Sequence, residues 1–205
     1  LKRIDAPAGL RTLGNRAFAG CSSLEDISWL RDVTDMGEYV FDSCTSLKEA
    51  TLPTAMTAIM DGTFNACSGL QTVTLSPVTE VIGRRAFGGC SALSNVSIPE
   101  QTREILEEAF ADCSSLTAVW LPSTLRILGQ SAYAGCSSMI DLTVPAGIAE
   151  MEESILAGCT SLKTLSVPYI GRSRDNAAER VARQLETGGR DVTALEELRQ
   201  LLGLP

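Results

Sequence analysis

The sequence predicts a right-handed α/β-type solenoid: a stack of 23-residue repeats with a parallel β-sheet on one face and a helical cap at the C-terminal end. Three observations lead there. Seven cysteines, Cys21, Cys44, Cys67, Cys90, Cys113, Cys136 and Cys159, follow one another at intervals of 23 residues with no insertion. Apolar columns keep the same beat on both sides of them. The period then stops at Pro168, and a helical pattern takes over. Fixed self-similarity of this kind marks repeats that are each too small to bury their own apolar face and are stable only against their neighbours.

Each element of the unit can be placed relative to its cysteine. Three residues before it stand Phe18, Phe41, Phe64, Phe87, Phe110, Tyr133 and Leu156; three after stand Leu24, Leu47, Leu70, Leu93, Leu116, Met139 and Leu162. Apolar residues return at plus six, from Ile27 to Leu165, and at plus eight, from Trp29 to Val167. Alternation over these positions is the pattern of a strand with one face inward. It predicts eight parallel strands, at about residues 1–7, 24–30, 47–53, 70–76, 93–99, 116–122, 139–145 and 162–168. Pro53, Pro99, Pro122, Pro145 and Pro168 end most of them. A further apolar column lies eight residues before the cysteine, from Leu13 to Met151. A glycine often follows it, as at Gly14, Gly37, Gly83 and Gly129, which fits a turn.

A copy such as Ile127-Leu128-Gly129-Gln130-Ser131-Ala132-Tyr133-Ala134-Gly135-Cys136-Ser137-Ser138 resembles the Treponema-type, BspA-like leucine-rich repeats, whose unit reads I-G-x-x-A-F-x-G-C-x-x-L-x-x-V-x-I-P. The resemblance covers residues 1–168 and implies a leucine-rich repeat array. Departures from the unit fall at Leu30, which replaces proline, at Pro77, shifted by one, and at Met60, Leu106 and Glu152, which replace the turn glycine. The segment from Leu1 to Pro7 matches the strand of a repeat whose cysteine turn is missing, so the chain reads as cut from a longer array.

Residues 169–205 form the second unit. Asp175 is a candidate N-cap for a helix over 175–185, and Gly188-Gly189 breaks it. A second helix is expected from Thr193 to Leu202, with Thr193 and Glu196 as a capping box and Gly203 as the stop. Val181, Leu185, Leu195 and Leu198 are expected to cover the open end of the solenoid; the alternative is that this segment starts a following module.

Composition excludes several classes of function. There is no histidine, which removes Ser-His and Cys-His nucleophilic designs and most catalytic zinc sites. Successive cysteines in a parallel stack lie about 4.7–4.9 Å apart, too far for a disulfide, so they are expected to be buried free thiols. The acidic pairs Glu107-Glu108 and Glu152-Glu153 are expected to be solvated. No catalytic, metal or cofactor site is expected. The net charge of −8 lies wholly in residues 1–168, with 11 basic and 19 acidic side chains, and it disfavours nucleic acid and anionic membrane. No run of about 18 apolar residues is present to span a bilayer.

The outward sheet positions remain. The plus-five row reads Asp26, Glu49, Thr72, Asn95, Ala118, Asp141, Thr164, and the plus-seven row Ser28, Thr51, Thr74, Ser97, Trp120, Thr143, Ser166. Trp120 breaks a row of hydroxyls. With Ala118 and Ile140 it makes an apolar diagonal, flanked by Asn95, Asp141 and Thr143, and exposed aromatics of this sort anchor partners. The competing reading is a lone surface aromatic that folds against a neighbouring strand. The expected function is protein recognition. The resemblance implies a surface or secreted, adhesin-like binding protein, with an extracellular or cell-surface location; an intracellular scaffold or effector recognition domain and an assembly module that self-associates through the array ends stand as alternatives.

Overall fold

The alternating residues after each cysteine do form parallel strands, but short ones. A computed structural model describes residues 1–168. One face carries β3 (Glu49–Thr51), β5 (Thr72–Thr74), β7 (Asn95–Val96), β9 (Ala118–Trp120), β11 (Asp141–Thr143) and β13 (Thr164–Ser166). The opposite side carries β1 (Thr12–Leu13), β2 (Asp35–Met36), β4 (Ala58–Ile59), β6 (Val81–Ile82), β8 (Glu104–Ile105), β10 (Ile127–Leu128) and β12 (Glu150–Met151). Every pairing is parallel and every register shift is 23 residues, as in Asp141↔Thr164 and Leu128↔Met151.

The second ladder corrects the α/β expectation. No α-helix occurs among the described residues. The column eight residues before the cysteine, expected to lead into a turn, itself pairs as a sheet. The reason lies in the next seven residues. Position minus five is left-handed in every copy, at Arg16, Tyr39, Gly62, Arg85, Glu108, Ser131 and Ser154, with φ between 52° and 60°. Position minus one is left-handed too, from Gly20 at 73° to Gly158 at 76°. Two such residues per copy preclude a helix there. Their turns instead bond forward to the next copy: the Phe18 N–H donates to the Val40 carbonyl at 2.9 Å, Phe64 to Ala86 and Phe87 to Ala109 at 2.8 Å.

Two of the eight expected strands do not form. Residues 1–7 carry no strand, although the Glu25 N–H reaches the Lys2 carbonyl at 3.0 Å. Residues 24–30 are replaced by a 3-10 helix at Ser28–Asp32. Leu30 explains the latter. Its N–H donates to the Ile27 carbonyl at 3.0 Å and closes the turn, a bond that proline, at this place in five later copies, cannot donate. Leu30 itself is fully buried. The remaining strands are two or three residues long, because the chain turns inward at the plus-three Leu and again at the proline. The helices expected after residue 168, and the cap they would form, lie outside the described residues.

The core is a set of one-residue columns. Phe18, Phe41, Phe64, Phe87, Phe110 and Tyr133 stack with centroids 5.1–5.7 Å apart and planes within 12° of parallel. Offset ring pairs add about 0.5–1.5 kcal/mol each beyond the area they bury. The cysteines stand beside this stack. Each thiol from Cys44 to Cys159 donates to the carbonyl of the aromatic residue one turn back, as Cys67 Sγ to Phe41 at 3.0 Å and Cys159 Sγ to Tyr133 at 3.2 Å. Six are buried, while Cys21, at the open end of the stack, is only half-buried.

Candidate interaction surface

Strand parity fixes what faces outward. In β9 the middle residue Val119 is buried, while Ala118 and Trp120 are exposed. Trp120 is 62% exposed and Ile140 38%, and these are the large apolar residues that the sheet face leaves to solvent; Leu1, Met60 and Val78, also exposed, lie off the strand rows. Parallel register sets Trp120 beside Thr143 and Ala118 beside Asp141. Ile140 is held just before β11: its N–H donates to the Thr117 carbonyl at 2.9 Å, and its own carbonyl accepts from Lys163 at 2.8 Å. Five of the six residues singled out in the sequence are thus brought onto adjoining strands. Asn95 differs. It pairs with Thr72, and the ladder is interrupted between β7 and β9, so it lies across a break in the sheet from Ala118.

A second feature of the same face has no counterpart in the expectations. Where the 3-10 helix replaces a strand, a groove of about 590 Å³ opens beside β3. Glu25, Asp26, Arg31, Glu49, Thr51 and Thr54 line it. The Ser28 N–H donates to Asp26 Oδ1 at 2.8 Å; this bond first, then the Ser28 side chain and nearby Arg3, hold the Asp26 carboxyl below its ordinary range. Glu25 pairs with Lys2 at 3.3 Å, whereas Glu49 makes no ion pair among the described residues. The signal in the sequence was the missing proline at Leu30.

The thiols are chemically quiet. Burial first, then neighbouring charge, pushes Cys44 up to about 12; burial first, then Asp112, pushes Cys113 up to about 12; burial pushes Cys159 up to about 11, in each case against a lowering hydrogen bond with the backbone of the preceding cysteine in the ladder. A nucleophilic or metal-binding cysteine needs the opposite shift. No group of three or more His, Cys, Asp or Glu able to hold a metal ion occurs among the described residues. Nor is any helix among them long and apolar enough to cross a membrane. On the opposite side of the array, Glu107 and Glu108 pair with Arg84 and Arg85, one copy back, at 3.3 and 2.6 Å. These exposed pairs are worth about 0–1 kcal/mol. Glu152 accepts the Gln130 N–H at 2.7 Å.

Comparison with known proteins agrees with this geometry. The family described as "BspA type Leucine rich repeat region" matches residues 1–91 and 59–177, in six copies. A leucine-rich repeat protein from Bacteroides ovatus is 28% identical with a TM-score of 0.72, over 77% of this chain and 41% of that one. One from Eubacterium ventriosum is 30% identical with a TM-score of 0.57, over 66% and 37%. The Treponema pallidum leucine-rich repeat protein, at 21% identity and a TM-score of 0.57 over 89% and 80%, shares the fold. This chain spans about two-fifths of the length of the first two. No curated protein matches it.

Proposed function

The chain belongs to the BspA-type leucine-rich repeat family, and we propose that it is a protein-recognition module whose sheet face, anchored on Trp120, is the contact surface. The observation that carries this is the 62% exposure of Trp120 in a row otherwise filled by Ser and Thr. Packing within the array does not require a large aromatic there. Interfaces do use such residues, because a covered indole removes much apolar area from water at little cost in side-chain freedom. Ala118 beside it leaves room for an incoming side chain, while Thr143 and Asp141 on the next strand and Asn95 across the sheet break supply a polar rim. Residues 1–168 are the recognition unit in this reading. A surface or secreted binding protein of adhesin-like kind is the proposed setting, supported by family membership and the bacterial sources of the similar structures.

The test is a paired one. Wild-type chain and Trp120→Ser are immobilised side by side, and captured proteins are quantified by mass spectrometry. Trp120→Ser restores the row and should leave the urea midpoint in place. A partner seated on the indole should bind the variant at least about 2 kcal/mol more weakly, the scale of an interface hot spot. A variant that unfolds, or one that keeps every partner at full affinity, refutes the assignment.

A further inference from the structure

We propose that the sheet face is a two-point ruler: its partner is an elongated segment that seats an apolar side chain on Trp120 and a lysine or arginine in the groove beside Glu49. The inference rests on the recognition reading above and adds the chemistry of the partner. It starts from the two places where the sheet face departs from its own repeat. At Trp120 and Ile140 the departure is apolar. At the groove it is a change of backbone that opens space next to β3, with Asp26 and Glu49 adjacent in the plus-five row. Asp26 is kept ionised by the Ser28 N–H, and Glu49 has no cation paired with it among the described residues. Arg31 also lines the groove, Lys2 pairs with Glu25 and Arg3 lies near Asp26, so Glu49 is the lining carboxylate left for an incoming cation among the described residues. The complementary group is a cation on a long side chain, which carries its charge into a groove while its stem covers the Thr51 and Thr54 walls.

The array fixes the distance between the two points. Glu49 and Ala118 occupy the same position of their repeats, three copies apart. Three copies at the parallel-strand spacing of about 4.7–4.9 Å set a lower bound of about 14–15 Å along the stack, since β7 and β9 are not paired. Between them the outward residues are Thr72, Thr74, Asn95 and Ser97, small and uncharged, and nothing large obstructs a rod laid along the stack. A helix rises about 1.5 Å per residue, so a helical partner spans the two points with about ten residues.

The experiment uses the whole 205-residue chain and a displayed library of random 16-residue peptides. Selected peptides are sorted by loss of binding to Trp120→Ser, then synthesised and measured by fluorescence polarisation against wild type, Glu49→Gln and Trp120→Ser at 50 and 300 mM NaCl. The proposal expects Trp120-dependent peptides to carry Lys or Arg about three helical turns from an apolar residue. It expects Glu49→Gln to weaken them tenfold or more at 50 mM NaCl and far less at 300 mM, where the charge is screened. Urea midpoints confirm that both variants stay folded. Trp120-dependent peptides that are indifferent to Glu49→Gln overturn the ruler and leave the recognition reading standing. A library that yields no Trp120-dependent binder overturns both.

Discussion

Alkaline pH should dismantle this array, and the cysteine column sets the size of the effect. Six thiols are buried and held protonated in the folded chain. Cys44 and Cys113 are pushed up to about 12 and Cys159 to about 11, while Cys67, Cys90 and Cys136 are likewise raised by burial. Unfolding returns each to an ordinary value of 9.0. Because the folded values lie above the unfolded ones, the protonated state stabilises the fold fully below pH 9, and that stability drains away as pH rises toward the folded values. At pH 9.5 the unfolded chain gains a little less than ~1 kcal/mol per thiol, and about 5 kcal/mol across six. By pH 10.5 the sum reaches roughly 12 kcal/mol, comparable with the whole stability of an ordinary domain. Urea titrations followed by circular dichroism in the presence of a non-thiol reductant, at pH 7.5, 8.5 and 9.5, read this directly. The midpoint should fall slightly between the first two, a loss of about 1 kcal/mol in all, and drop steeply at the third. Cys90→Ala, with one titrating group fewer, should show a shallower fall from its own lower starting point. A midpoint that is the same at pH 7.5 and 9.5 would refute the claim that the thiols are shielded from water.

Three further outcomes follow from particular residues. A thiol reagent should label Cys21 quickly in the native chain, the other six only after denaturation, and fast labelling of several would show that the ladder is not interior. Tyr133→Phe should raise the urea midpoint. The Tyr133 hydroxyl is buried with no hydrogen-bond partner, a cost of about 1–3 kcal/mol, and the ring stack on Phe110 survives its removal; a lower midpoint would mean the hydroxyl is satisfied. Ala66→Gly should stabilise modestly. Ala66 sits at φ 56°, where a side chain costs about 1–2 kcal/mol, against roughly 0.5–1 kcal/mol of added chain entropy on unfolding; a lower midpoint would show that its methyl group packs usefully.

Inward columns were legible in the sequence because a stack allows them only one choice. Leu24, Phe41, Cys67 and Ile105 each recur every 23 residues, and their columns are fully or nearly fully buried apart from Phe18, Cys21 and Leu162 in the first and last copies. Parallel register followed from the same spacing. The second ladder was not legible. Its strands are two residues long, with one residue inward and one outward, as in Ala58–Ile59, too short for alternation to show. The left-handed positions were hidden as well, since Arg16, Tyr39 and Arg85 occupy a conformation that composition assigns to glycine. The 3-10 helix announced itself only as an absent proline at Leu30. At the surface, the rows gave Trp120, Ala118 and Ile140, whereas the groove depended on a backbone change that rows of residues do not encode.

The two tryptophans show how a repeat separates structure from surface. Both replace a smaller residue in their columns, and they sit one strand position apart in the unit. Trp29 is at plus eight, an inward position. Its ring packs edge-on to Phe18 at 5.4 Å and tilts against Phe41 at 6.4 Å, which extends the aromatic stack at the end of the array. Trp120 is at plus seven, an outward position, and no aromatic ring lies against it among the described residues. In the strands of the later copies a shift of one residue moves a side chain to the opposite face, and in the first copy the 3-10 helix Ser28–Asp32 holds Trp29 partly buried against the core. The same amino acid therefore completes a core in one copy and offers a surface in another. In a chain where each inward column is constrained by the copies above and below, outward departures are the ones the fold does not explain. Trp120 is a departure of that kind, and the groove beside β3 is one of backbone rather than of side chain.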